Sequence, residues 1–133
     1  MYCMEKPFDE WNEVKKSIHT KEERLYFREG EIWWVNLGVN IDFEIDGKGK
    51  GYTRPVIILK KYNQYSFLAL PLSTSKKIHK YHAPIGMVAN KEAIANLSQM
   101  RNIDSKRLVK KIGHMARELF QEIKKKASLV NFG

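Results

Sequence analysis

The middle of the chain is built from short apolar runs that read as buried strands: Ile32 to Leu37, Pro55 to Leu59 and Ser66 to Leu72. Each is rich in Ile, Val, Trp, Phe or Leu, and at five to seven residues has the length of a buried strand rather than of a packed helix. The same reasoning predicts further strands over His82 to Val88 and Ala95 to Ile103. Five strands joined mostly by short links predict a small barrel. One link is long. Gly38 to Thr53 carries Gly38, Gly47, Gly49 and Gly51 and four charged residues between Asp42 and Lys48, too polar and glycine-rich to pack. Loops of that length are often functional.

Helical spacing appears on either side of these runs. Phe8, Trp11, Val14, Ile18, Leu25 and Tyr26 recur mostly at three- and four-residue intervals with charges between them, which predicts an amphipathic helix over 8–26. Gly30 marks its handover to the first strand. Asp104 is placed to cap a helix carrying Leu108 and Ile112 on one face, Gly113 interrupts it, and a last helix from Met115 to Leu129 turns Leu119, Phe120, Ile123 and Ala127 inward. The expected class is therefore mainly β with helices: a helical extension over 1–29 and one barrel domain with a C-terminal helix over 30–133. No apolar run approaches the roughly 20 residues of a membrane span, and charges replace a signal peptide's apolar stretch near Met1, so a cytoplasmic protein is expected. Cys3 stands alone, and the four histidines have no zinc spacing, so neither a disulfide nor a metal is expected.

Charge is unevenly spread. Residues 1–60 hold ten Lys and Arg against eleven Asp and Glu, whereas residues 61–133 hold fourteen against four. A net of +10 in the second part favours a polyanionic partner, nucleic acid first, because each phosphate neutralised releases a condensed counterion. Lys124, Lys125 and Lys126 are better read as a solvated helix face.

The order of several short motifs is more specific. Gly30-Glu31-Ile32-Trp33-Trp34-Val35, a glycine-rich loop, Arg54-Pro55-Val56-Ile57-Ile58-Leu59, Leu70-Pro71-Leu72-Ser73, Gln99-Met100-Arg101-Asn102-Ile103-Asp104, and Arg107-Leu108 with Lys111-Ile112-Gly113 follow one another from residue 30 to about 115. This series resembles the MazF/PemK family of toxin endoribonucleases. The resemblance implies an SH3-like barrel with a C-terminal helix, a homodimer binding single-stranded RNA across its interface, and a cognate antitoxin with an acidic segment. It also implies cleavage without metal or other cofactor, in which a ribose 2′-hydroxyl attacks the adjacent phosphate and leaves a 2′,3′-cyclic phosphate and a 5′-hydroxyl.

Such chemistry needs a proton acceptor, a proton donor and a cation for the growing phosphate charge. Arg54 aligns with the family's catalytic arginine, and a planar, permanently charged guanidinium suits the third demand. Ser73 falls where the family commonly carries a threonine, with Thr74 as the alternative after a one-residue slip. The family's acidic loop residue has Glu44 as its nearest match and Asp46 behind it, in a stretch, Asp42 to Gly47, that departs from the family pattern. Lys76, Lys77 and Lys80, with His79 and His82, read as phosphate contacts, and Tyr52 or Tyr81 as a face for a base. Gln99 and Arg101 fit structural or interface roles, while Trp33 and Trp34 point to opposite faces of one strand. His19 and His114 lie on predicted helices and receive no role. The rival function is a non-catalytic module binding nucleic acid or protein on the same barrel, including a gyrase-poison type of toxin.

Overall fold

A computed structural model describes residues 24–37, 53–74 and 80–133. The expected N-terminal helix lies almost wholly outside the described residues, and residues 24–28 run without regular secondary structure. Seven strands follow: β1 (Glu31–Asn36), β2 (Thr53–Lys61), β3 (Ser66–Ser73), β4 (His82–Val88), β5 (Lys91–Asn96), β6 (Arg101–Asp104) and β7 (Leu108–His114). Helix α1 (Arg117–Phe132) completes the described chain. The strands form an antiparallel half-barrel sheet in the order β4-β5-β3-β2-β1-β7, with β6 beside β3.

Two expectations are corrected here. Ala95 to Ile103 is not one strand, because a 3-10 turn over Leu97–Gln99 separates β5 from β6. Asp104 does cap, its Oδ1 accepting the Lys106 N–H at 2.8 Å, but the element it caps is a three-residue 3-10 turn, Ser105–Arg107, and the chain then enters β7 in place of a helix. The four-residue spacing of Leu108 and Ile112 suggests a helix, yet it is also even, and even spacing keeps two residues on one face of a strand. Pairing with β1 decides between the two. His114 accordingly ends a strand, and the last helix starts two residues later and ends three later than the spacing suggests. On that helix Phe120, Ile123 and Ala127 are buried as expected, Leu119 is half-buried, and Lys126 pairs with Glu122 at 3.1 Å on the solvent side.

Val56, Ile57, Ile58 and Leu59 are all buried, so the middle of β2 has no solvent face. Alternation divides them. Ile57 and Leu59 join Leu70, Leu72, Ala95, Phe120, Ile123 and Ala127 in a core under α1. Val56 and Ile58 join Trp33, Val35, Phe67, Ala69, Ile103, Leu108 and also Phe27 in a second core on the other side. Phe27 meets Phe67 with ring centres 5.0 Å apart, so the segment just before β1 belongs to the packed body.

Three distant segments meet at Gly30. Its N–H donates to the Ile58 carbonyl at 2.8 Å, and its own carbonyl accepts the Met115 N–H at 2.9 Å. Its φ of +86° lies where a side chain is disfavoured, and an added Cβ would stand 3.4 Å from the Phe120 ring. Beside it Glu31 is 8% exposed, and one carboxylate oxygen accepts the Arg28 N–H at 2.8 Å and Trp33 Nε1–H at 3.0 Å while the other meets Lys111 Nζ at 2.8 Å. Burial pushes the Glu31 carboxyl up, but the hydrogen bonds from Lys111, Trp33 and the Arg28 backbone outweigh it and hold the group below the usual glutamate range.

Gly30→Ala is expected to destabilise the protein by about 1–2 kcal/mol, mainly through the forced left-handed backbone, measured by urea unfolding. Glu31 has a lowered folded pKa, so its stabilisation is present above the unfolded glutamate value and fades as pH falls through that value toward the folded one. Glu31→Gln should therefore cost about 1–3 kcal/mol at neutral pH and progressively less in acid. Unfolding curves of both proteins from neutral to acid pH check this, and a pH-independent gap would contradict it.

Candidate active site

Arg54 is the second residue of β2 and is 9% exposed, an unusual position for a guanidinium. The strand places it there because Pro55-Val56-Ile57-Ile58-Leu59 must be buried next door, and Val35 of β1 lies opposite it. Its Nη1–H donates to the Leu72 carbonyl at 3.1 Å, which ties the start of β2 to the end of β3. Val56 pairs with Pro71 and Ile57 with Leu70, so the same register continued two residues would set Arg54 opposite Ser73. At that point β3 has turned to β5, with Leu72 opposite Ala95 and Ser73 opposite Ile94. Asn96 steadies the turn by donating from Nδ2 to the Pro71 carbonyl at 3.1 Å.

The divergence of β2 from β3 opens a cavity of about 480 Å³. Its walls are Trp34 of β1, Thr53 to Pro55 of β2, Leu72 to Thr74 at the end of β3, and Val88, Ala89, Lys91 and Ala93 of the β4–β5 hairpin. Among these lining residues are two cations, three hydroxyl groups and no carboxylate. Such a pocket attracts an anion, and its indole, proline and leucine walls lower the local dielectric around any charge bound there. Ser73 is half-buried within the strand, whereas Thr74 lies just beyond it and is exposed.

The hairpin wall turns sharply. Ala89 and Asn90 have φ of 50° and 66° between Val88 and Lys91, which face each other across the ladder. A two-residue link with both residues left-handed matches the right-handed twist of the strands, but alanine there costs on the order of 1 kcal/mol. Ala89 itself lines the cavity.

The candidate residues divide clearly. Arg54, Ser73 and Thr74 come together around the cavity, and Trp34 joins them. Trp33 is buried in the second core and bonds Glu31, so the two tryptophans do part to opposite sides of β1. Lys80 and Tyr81 precede β4, with Lys80 Nζ 4.9 Å from the Tyr81 ring centre, and His82 opens that strand; none of the three lines the cavity. Gln99 ends a 3-10 turn and Arg101 opens β6, also away from the cavity. Arg101 lies close enough to Arg107 to add to burial in pushing that guanidinium down, against the opposite pull of Asp104, while Arg107 Nη1 donates to the Asn36 carbonyl at 3.0 Å. Glu44, Asp46, Tyr52, Lys76, Lys77 and His79 fall outside the described residues. Sequence reasoning missed Lys91 and the hairpin wall, since Val88-Ala89-Asn90-Lys91 has no glycine to announce a tight turn.

Comparison with known proteins follows the same outline. MazF from Deinococcus radiodurans superposes with a TM-score of 0.66 at 18% identity, covering 80% of this chain and 97% of that one. An endoribonuclease in complex with its cognate antitoxin from a Mycobacterial species gives 0.62 at 12% identity, covering 81% and 98%. A MazE-MazF complex from Deinococcus radiodurans gives 0.59 at 17% identity, covering 82% and 100%. At such identities these structures establish the fold alone. A family model described as PemK-like, MazF-like toxin of type II toxin-antitoxin system matches residues 28–130, which is most of the chain, and the protein therefore belongs to that toxin family.

Proposed function

We propose that the protein is the toxin of a toxin–antitoxin pair and cleaves single-stranded RNA at the cavity between β2 and the β4–β5 hairpin. Toxins of this family are generally endoribonucleases. The observation that carries the reading is Arg54: a buried guanidinium fixed by the Leu72 carbonyl, in a pocket that offers cations and hydroxyls and, among its described lining, no acid. A cation held there before substrate arrives is oriented toward charge that develops on a phosphate, at no reorganisation cost in the reaction.

In the proposed step Glu44, or failing it Asp46, accepts the ribose 2′-hydroxyl proton. The 2′-oxygen attacks phosphorus, Arg54 and the Ser73 hydroxyl donate to the non-bridging oxygens, and the 5′-oxygen leaves with a proton from water. The products are a 2′,3′-cyclic phosphate and a 5′-hydroxyl end. Lys91 meets the next phosphate, and the Trp34 indole offers a face to a base. A homodimer would extend this cleft across two copies, and an acidic segment of a cognate antitoxin would occupy it by charge. The rival, a binding module without chemistry, is favoured only by the departure of Asp42 to Gly47 from the family's acidic-loop pattern.

Arg54→Ala should lower single-turnover cleavage of one labelled RNA by roughly two to three orders of magnitude, and Arg54→Lys should recover little, because an ammonium lacks paired donors. Ser73→Ala should be milder and Ser73→Thr tolerated, all four compared in EDTA with melting curves as a fold check. Wild-type rates from Arg54→Ala would end the assignment, and a wild type that cuts no RNA would favour the binding module. Lys91→Ala should weaken RNA binding several-fold and flatten the log affinity against log salt slope by about one. An unchanged slope would remove Lys91 from the phosphate path.

A further inference from the structure

The end of the sheet farthest from Arg54 is unlike an ordinary surface. β2 ends at Lys61 and β3 begins at Ser66, seven strand residues beyond Arg54 and so about 20 Å from it. Three tyrosines stand exposed there: Tyr26 at 70%, Tyr62 at 52% and Tyr65 at 52%. A single exposed ring is ordinary, but three gathered at one hairpin end form a patch that packing among the described residues leaves open.

Cations are set among them. Lys61 Nζ lies 4.4 Å from the Tyr26 ring centre and Arg28 Cζ 5.5 Å from it, while Arg24 Cζ lies 4.9 Å from the Tyr65 ring centre. The nearby carboxylates are already engaged: Glu29 accepts the Lys61 N–H at 2.8 Å and sits 4.0 Å from Lys60 Nζ, and Asp104 pairs with Arg24 at 2.6 Å. The hairpin is held firmly. Asn63 Oδ1 accepts the Tyr65 and Ser66 N–H groups at 2.8 and 3.1 Å, Ser105 N–H donates to the Tyr65 carbonyl at 2.8 Å, and Ser105 Oγ donates to the Gln64 carbonyl at 2.7 Å. Arg24 adds a bond to the Tyr65 carbonyl at 3.3 Å.

We infer that this hairpin end is a second contact site for single-stranded RNA, where Tyr26, Tyr62 and Tyr65 stack bases and Arg28 and Lys60 meet phosphates, while Lys61, whose Nζ donates to the Phe27 carbonyl at 2.9 Å, steadies the Tyr26 ring. Rings interleaved with cations are the pattern that binds a flexible strand without reading its sequence, and a rigid hairpin spares the ordering cost. A protein partner would be better served by a closed apolar centre, whereas here charged groups separate the rings. The choice of RNA rests on the proposed nuclease reading, since the same two strands carry Arg54 and Ser73 at their other end and a longer RNA would engage both. The site would hold flanking sequence and leave the scissile bond to the cavity.

The test uses uncleavable 2′-O-methyl RNA of 6 and 24 nucleotides, with binding read by fluorescence anisotropy. Replacing Tyr26, Tyr62 and Tyr65 together by Ala should weaken the 24-mer about tenfold or more while the 6-mer changes less than twofold, and cleavage of a short substrate should keep its kcat. Replacing all three by Phe, which keeps the rings, should restore 24-mer affinity and controls for folding. Unchanged 24-mer affinity in the Ala variant, or equal losses for both lengths, would overturn the site. Loss of antitoxin binding with RNA binding intact would reassign the surface to a protein. A wild type that binds the 24-mer through the tyrosines but cuts no RNA would end the nuclease reading and leave this one standing.

Discussion

Everything in the described structure depends on β2 being buried on both faces. Four consecutive apolar residues, Val56 to Leu59, feed two cores at once, so neither α1 nor the β6–β7 side can be removed without exposing the central strand. That double burial fixes the strand in depth, and Arg54, two residues before Val56, is carried inward with it. A guanidinium would not choose such a place for stability, since desolvation opposes it. The Leu72 carbonyl recovers part of that loss and at the same time sets the distance between the ends of β2 and β3.

The strands of the core were legible because they obey simple rules. Ile32 to Leu37, Pro55 to Leu59 and Ser66 to Leu72 are short, β-rich and bounded by breakers, and the observed strands cover all three except Leu37, one residue past the end of β1. The stretch from Ala95 to His114 was not, and the reason is physical. Asn96 spends its side chain on the Pro71 carbonyl and Ser105 spends its hydroxyl on the Gln64 carbonyl, so the turns there are fixed by partners about 25 and 41 residues away in sequence that no local pattern reveals. Asp104 announced a cap correctly, but a cap does not state the length of what it starts.

For the site the balance was similar. Arg54 and Ser73 could be placed because their neighbours are hydrophobic and periodic, and motif order supplied the pairing. Alternation parted Trp33 and Trp34 to opposite faces of β1 but did not say which of them would reach the cavity. Lys91 escaped because it becomes a cavity residue only through the turn at Ala89 and Asn90, whose left-handed backbone ordinarily calls for glycine. Glu44, Asp46 and the Lys76 to His79 stretch lie outside the described residues.

The junction at Gly30 also orders events during synthesis. Gly30 bonds Ile58 on one side and Met115 on the other, and β1 beyond it needs β7 as its second partner. Until residues 108–127 have been made, β1 has one open edge and the Ile57–Leu70 face has no Phe120, Ile123 or Ala127 to cover it. Contacts of such long sequence separation form late and leave apolar surface exposed meanwhile. The nascent chain therefore presents a sticky, half-finished sheet to chaperones, and the Arg54 pocket acquires its rigid frame only after nearly the whole described chain is available to fold.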